Sequence, residues 1–535
     1  MFSLFKYITK LYVINTYKKK NKFLFTKNID KKNYKKKVIV EFNAFQSTHI
    51  PISILSNYLK DKFKLEICAF YNYSIISSNL KFNIFQELKW FVGNFLNLGF
   101  FGIYKSFGVK EIFKPSIIEN NYTNLYSKKL TKLTKKKLLN FSINGIVIGD
   151  LLYDTYLKKY QKSTVDIYDE KFQKMFFDFI NLYNFWDIYL KKNEIHSIIV
   201  CHSVYSYGLI SRIGIKRKIN VFLATSTKLF RLNNKYPVHF SNFEEYKNEF
   251  KKLSNKEKKI NLNKARLKIT KRLKGVSGED VDLLTNNSAF KKNKYYKYTN
   301  YFDNNKKPKI IIFTRNLFDA THVFKDQIFL DNKDWLENLG KLSKKTNYDW
   351  YLKVHHNLGG KFSKYQSVSD RELYNIVKKY KFKILPADMP HNYIINKIDL
   401  ALTQHGSIGF EYAWFNKKVI NASPYNPRMA YKYNINPKNK KEYLDSICNF
   451  KKLKVKFDKN EICENYYMQY MYFDKNWIFD DYNKMIKQVG SWDNQFSTKV
   501  YEYFNKNFNE YKIRNIYKRI NNFYNSKNHQ VSVKH

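Results

Sequence analysis

Apolar residues in this chain gather into short runs separated by polar, lysine-rich stretches, and the spacing of the runs sets the expected architecture. The run 38–42 holds four apolar residues around Glu41 and reads as a buried strand. In 51–59, Ile52, Leu55 and Leu59 recur at helical spacing, and 65–70 is a second strand-like run. Strand–helix–strand is the rhythm of a parallel sheet, because returning to the same sheet edge in the same direction needs a crossover. A buried strand over 197–201, a helix over 205–216 and a strand over 220–223 continue it.

The pattern resumes after a Lys- and Asn-rich segment with weak helical periodicity. Strands are expected at 309–314, 349–355, 382–385, 400–403 and 419–421. The helices between them fall at 335–345, 371–380, 392–396 and 407–415. Beyond about residue 459 the chain is aromatic and helical in pattern. The expectation is an α/β protein with two Rossmann-like domains facing a cleft and a helical C-terminal tail. The boundaries are a basic lead-in at 1–37, an N-terminal domain at 38–250, an inter-domain region at 251–307, a C-terminal domain at 308–458 and the tail at 459–535.

Length agrees with two cores, since 535 residues exceed what one core usually serves. No stretch reaches the roughly 18–20 uninterrupted apolar residues of a membrane span. The most apolar region, 90–104, reads as a buried helix or a lid. The start of the chain lacks the apolar core of a secretion signal. Cys68, Cys201, Cys448 and Cys463 are isolated, so neither a zinc site nor a disulfide framework is indicated and a reducing cytoplasm fits.

Charge is the most conspicuous feature of composition: 97 Lys and Arg against 45 Asp and Glu give a net +52. Clusters such as Lys18-Lys19-Lys20 and Lys135-Lys136-Lys137 lie between apolar runs, where solvated faces are expected. Together with abundant Asn, Tyr, Phe and Ile, they read as compositional drift rather than a nucleic-acid footprint. The excess still favours anionic ligands and peripheral contact with an acidic membrane surface, placing the chain in the cytoplasm or at the inner face of a membrane.

Two expected strand ends carry chemistry. One delivers Lys353, Val354, His355, His356 and Asn357. The other runs Thr403-Gln404-His405-Gly406-Ser407-Ile408-Gly409-Phe410-Glu411, where a glycine permits a tight turn and Ser407 stands at a helix N-cap position. Free N–H groups at such a turn attract anions. Gly406 would let a phosphate approach, Ser407 would donate its hydroxyl, and Lys353 or His355 would neutralise charge. His405 belongs to the same turn. Arg315, just after the strand 309–314, could meet phosphate, and His322 lies near the expected cleft.

The segment 403–422, with Lys353-Val354-His355, resembles the capsule-polysaccharide synthesis and glycerophosphotransferase-like families of GT-B transferases. Those families carry a Lys-x-His-Pro motif and a Ser/Thr-bearing turn that hold nucleotide phosphates. Here His356 stands where they have proline, while His355 corresponds to their histidine and Ser407 to their hydroxyl. The runs Gly145-Ile146-Val147-Ile148-Gly149-Asp150-Leu151-Leu152-Tyr153-Asp154 and His202-Ser203-Val204-Tyr205-Ser206-Tyr207-Gly208 are similar to surface-carbohydrate proteins of this type.

The resemblance implies a GT-B-like fold and an inverting sugar transfer with no obligatory metal or cofactor. The donor would be a CMP- or UDP-linked sugar held by the second domain, and the acceptor a growing glycan, free or lipid-linked, on the first. It also implies that Glu411 meets the ribose hydroxyls. Inversion needs a group to take the acceptor's proton. Glu41 ranks first, Asp150 second and His49 third; Asp150 and Asp154 share a helical face and could instead form a structural polar cluster. A nucleotide-sugar 2-epimerase of the same architecture is the alternative enzyme, although its turn has Ser-Gly-Gly where this chain has His405-Gly406-Ser407. A nucleic-acid-binding protein is the alternative from another class, and no recognition motif supports it.

Overall fold

The computed structural model describes residues 2–26, 34–72, 82–115, 126, 130, 132–275, 289–290, 298, 300–354 and 368–532. In chain order the first half supplies β1 (Lys37–Phe42), β2 (Glu66–Tyr71), β3 (Val109–Phe113), β4 (Ser142–Ile143), β5 (Ile146–Val147), β6 (Ile195–Val200), β7 (Asn220–Thr225) and β8 (Lys228–Leu232). Six of these form one sheet in the order β3-β2-β1-β6-β7-β8, and β4 pairs with β5 in a separate hairpin. Every pairing in the large sheet is parallel except β7 with β8. From Val38 on, β1 is buried throughout, as a central parallel strand covered on both faces must be.

The second half supplies β9 (Lys309–Phe313), β10 (Asp349–Lys353), β11 (Lys383–Leu385), β12 (Leu400–Thr403) and β13 (Lys418–Asn421). They make a wholly parallel sheet in the order β11-β10-β9-β12-β13. The expected pair of Rossmann-like sheets with a helical C-terminal region is therefore present.

Several boundaries moved for identifiable reasons. The helix expected at 51–59 spans Gln46–Phe63 with Pro51 inside it. Asn43 Oδ1 accepts from the Phe45 N–H and the Thr48 hydroxyl, a side-chain turn that starts the helix early. The helix expected at 335–345 is Asn332–Ser343, because Asp331 caps it by accepting from the Asp334 N–H. The helix expected at 407–415 shortens to Ile408–Ala413.

The segment 243–273 does not stand between cores. Phe243, Tyr246, Ala265 and Ile269 share one core with Ile311, Ala401 and Phe410 of the second sheet. The tail divides: helix Lys459–Tyr470 joins that core, whereas Trp477, Met485, Phe504, Ile516 and Phe523 return to the first sheet and pack with Val40, Leu55 and Phe222. The chain thus crosses between the two sheets twice.

Candidate functional site

In each sheet the strand sequence reverses at one place. The chain runs β1, β2, β3 to one side and then returns to place β6 and β7 on the other. It runs β9, β10, β11 to one side and then places β12 and β13 opposite. Where parallel strands diverge in this way, the loops leaving their carboxyl ends part and open a crevice for ligand. In the second sheet these loops carry Arg315 after β9 and His405 after β12.

The two side chains meet. Arg315 Nη1 donates to His405 Nε2 at 2.7 Å, and its Nη2 donates to the Asp319 carbonyl. An imidazole that accepts at Nε2 carries its proton on Nδ1. Burial, then the Arg315 and Arg428 guanidinium groups, hold His405 well below the ordinary histidine range, so it is neutral. Its Nδ1 is buried and has no hydrogen-bond partner among the described residues.

Arg428, from the loop after β13, was not anticipated. It is 0% exposed, and Nε, Nη1 and Nη2 all lack hydrogen-bond partners among the described residues. The side chain lies against Gly409, in the first turn of helix Ile408–Ala413: a β-carbon there would stand 2.7 Å from Arg428 Nε and 2.6 Å from Asn434 Oδ1. Glu411, the acid whose charge acts on it, is already paired. It is buried and accepts from Arg272 Nε at 2.8 Å and Nη2 at 2.6 Å, with His391 Nδ1 at 4.0 Å. Glu411 is therefore held by Arg272 rather than presented for a ribose.

The turn itself differs from a capped helix start. Ser407 adopts right-handed helical angles and makes no capping bond; its Oγ lies 3.5 Å from Arg272 Nη2. The Gly406 N–H donates to Thr403 Oγ1 at 3.3 Å, and a β-carbon on Gly406 would approach that oxygen to 2.9 Å. Close packing under the turn is thus one reason for glycine. Lys353 does not join the group. Its buried ammonium donates to the Pro386 and Ala387 carbonyls at 2.8 Å each, on the β11 side of the sheet, and burial pulls its pKa down to about 8. His355 lies outside the described residues.

Facing these loops is the helix Gly149–Tyr160 of the first half. Lys158 Nζ and the Tyr205 hydroxyl both donate to Asp319 Oδ1, at 2.7 and 2.5 Å. Asp154 accepts from the His322 ring at 2.6 Å and from the His322 main-chain N–H at 2.8 Å. The second ring nitrogen faces the Leu330 carbonyl at 2.7 Å. Both nitrogens point at acceptors, which requires the imidazolium. Burial opposes that charge, yet Asp154 and the carbonyl raise the pKa to about 9. His322 is therefore an interface residue, and Asp154 its counter-ion.

The three expected proton acceptors are engaged elsewhere. Glu41 is buried, accepting from the Cys201 N–H at 2.8 Å and its thiol at 3.0 Å. Asp150 holds Arg212 in a two-point pair at 2.5 and 2.6 Å. His49 is fully buried between the Tyr501 hydroxyl and the Asn43 carbonyl, and burial presses its pKa down to about 4. The carboxyl end of β6 instead offers His202, which is exposed. Its Nδ1 lies 2.9 Å from the Cys201 carbonyl, which fixes the proton there and leaves Nε2 as the basic nitrogen.

Sequence held a signal for the missed arginine. Only ten of the 97 basic residues are arginine. Where drift favours lysine, a retained guanidinium marks a place that needs its planar fork. Arg212, Arg272 and Arg315 all sit in such places.

Neither a protein-family model nor a curated protein matches the chain. Solved structures do. The β-Kdo 2,4 transferase KpsC of Thermosulfurimonas dismutans is similar at 12% identity and TM-score 0.31, over 51% of this chain and 80% of that one. The UDP-GlcNAc 2-epimerase of Neisseria meningitidis is similar at 11% identity and TM-score 0.25, over 81% and 95%. That of Methanocaldococcus jannaschii gives 10% identity and TM-score 0.26, over 81% and 98%.

Proposed function

We propose that the chain is a glycosyltransferase of surface-polysaccharide assembly, moving a sugar from a CMP- or UDP-linked donor to a glycan acceptor. The observation that carries this reading is a buried guanidinium, without a hydrogen bond among the described residues, beneath the 404–408 turn at the reversal point of the second sheet. Among the described residues Arg428 makes no ion pair or hydrogen bond, Glu411 acting on it only through its charge, and the His405 Nδ1–H beside the turn has no acceptor. A buried charge is tolerated when something compensates it, and a donor phosphate over the turn does so. A unit charge roughly 6 Å from a phosphate contributes about 3 kcal/mol at an effective dielectric constant of about 20. Because the same field acts more strongly on the fuller charge of a departing phosphate, it favours the transition state.

Transfer then proceeds by attack of an acceptor hydroxyl oxygen on the anomeric carbon. The bond from that carbon to the phosphate oxygen breaks, its electron pair leaves with the nucleotide, and the hydroxyl proton passes to a base. His202 Nε2, at the reversal point of the first sheet, is the assigned base in place of Glu41. Arg315 orients His405, and the Lys158–Asp319–Tyr205 bridge keeps the two sets of loops apposed.

Calorimetric titration of the full chain with CMP, UDP and their sugars tests the reading. Arg428→Met should weaken nucleotide binding by roughly a hundredfold while leaving the thermal midpoint at or above that of the parent, since a buried unpaired charge is removed. Absence of any nucleotide binding by the parent chain would overturn the proposal. An epimerised sugar formed from a UDP-sugar with no acceptor present would replace transfer with epimerisation.

A further inference from the structure

Helix Ile84–Phe95 is built in an unusual sense for a surface helix. Its start is firmly capped, with Asn83 accepting from the Gln86 N–H and Gln86 accepting from the Asn83 N–H. Trp90 anchors one side, meeting Phe42, Tyr71 and Phe101 edge-on with ring centroids 5.0 to 5.7 Å apart. The outward side is apolar as well. Ile84, Phe85, Leu88, Phe91 and Phe95 are between 58% and 84% exposed, and Leu96 and Leu98 continue the surface beyond the helix. Residues 84, 88, 91 and 95 follow helical spacing, so they form one stripe rather than scattered exposures. Contiguous patches of this kind mark interaction sites.

Charge identifies the occupant. The neighbouring helix Gly99–Ser106 carries Lys18 of the N-terminal helix Phe2–Phe25 against Gly102. That N-terminal helix has six lysines and no acid, and it exposes Lys10, Lys19 and Lys22 together with Tyr12. Lys89 is exposed on helix Ile84–Phe95, and that helix's one acid, Glu87, is paired with Lys114. A second copy of a chain carrying a net +52 would bring like charges together here. An anionic bilayer supplies both an apolar layer for the phenylalanines and phosphates for the lysines. Among the described residues no helix is long and apolar enough to cross a membrane.

We infer that Ile84–Leu98 is a membrane-docking element that inserts its outward stripe into the interface of an anionic leaflet, with the flanking lysines on the headgroups. The inference stands independently of the sugar-transfer reading. Flotation of the full chain with phosphatidylcholine vesicles, with and without phosphatidylglycerol, tests it. Phe91→Glu with Phe95→Glu alters only exposed side chains, so the thermal midpoint should hold. The parent should float with the anionic vesicles, and the double variant should lose at least roughly tenfold in partitioning. Failure of the parent to bind anionic vesicles would overturn the inference. So would equal binding by the double variant, which would assign all attachment to lysines. Conversion of a parent dimer to a monomer by the same substitutions, without vesicle binding, would assign the stripe to a second copy.

Discussion

Replacing His322 with glutamine should remove a pH-dependent contribution to stability that is present in acid and fades in mild alkali. The ring donates from both nitrogens, to Asp154 Oδ1 and to the Leu330 carbonyl, and it is 6% exposed. Its pKa moves from 6.5 to about 9 on folding. Between those values the folded chain binds a proton that the unfolded chain has released, so stability falls as pH rises. The contribution is complete below about pH 6.5 and gone above about pH 9; 2.5 units at 1.36 kcal/mol each make it about 3 kcal/mol.

Urea unfolding followed by tryptophan fluorescence, at steps from about pH 6 to about pH 9.5, measures this as a difference between parent and His322→Gln. The comparison isolates the histidine. Lys353 and Lys228, both pulled down to about 8 by burial, add stability as pH rises, but they do so equally in the two proteins. At about pH 6 the variant should be less stable by about 3 to 5 kcal/mol, because Asp154 is left buried and unpaired. By about pH 9.5 the gap should narrow by about 3 kcal/mol. Parallel curves for the two proteins would refute the ion pair and the protonation assigned to it.

Arg272→Ala strands the buried Glu411 carboxylate and should cost about 3 to 5 kcal/mol in the same urea assay at neutral pH, with much of the loss restored by also making Glu411→Gln. Gly409→Ala drives a methyl group to within 2.7 Å of Arg428 Nε and should lower stability by about 1 to 3 kcal/mol. Nucleotide titration of that variant should show weakened binding, since the displaced guanidinium is the cation assigned to the phosphate. His202→Asn should abolish transfer while leaving nucleotide affinity unchanged, read from turnover and calorimetry on one preparation.

Sequence made the sheets legible because their central strands are continuous apolar runs bounded by polar residues: 38–42, 65–70, 309–314 and 400–403 all became strands within a residue or two. The long helix Glu170–Lys192 was missed although it buries Phe172, Phe176, Phe179 and Trp186. Its outward face mixes aromatic residues with lysines, which blurs the helical period. The region 90–104, expected to be a buried helix or a lid, is half turned outward, because apolar content reveals that a segment wants contact but not with what. Strand ends were readable for the same reason as strands, so Arg315, His322 and His405 were singled out. What those residues touch depends on a partner loop elsewhere in the chain. Lys353 was expected at the phosphate and faces Pro386, while Glu41 was expected in a cleft and faces Cys201.

Apart from Glu41, which accepts from the neutral Cys201 N–H and thiol, the acids near the two reversal points that the structure describes are paired with donors from other elements. Asp150 has Arg212, Asp154 has His322, Asp319 has Lys158 and Tyr205, and Glu411 has Arg272. Burial alone would raise Asp319, yet Lys158 and Tyr205 hold its carboxyl below the ordinary range, so it stays ionised and committed. Each of these four acids is thus committed to identified donors, and among the described residues Arg428 makes no ion pair or hydrogen bond. Gly409 then acquires a definite role: the missing side chain lets a guanidinium lie directly under the first turn of helix Ile408–Ala413. Anionic charge placed over that turn completes the pairing that governs its surroundings. A neutral sugar alone would not, which is why nucleotide affinity, rather than sugar affinity, should follow the charge at residue 428.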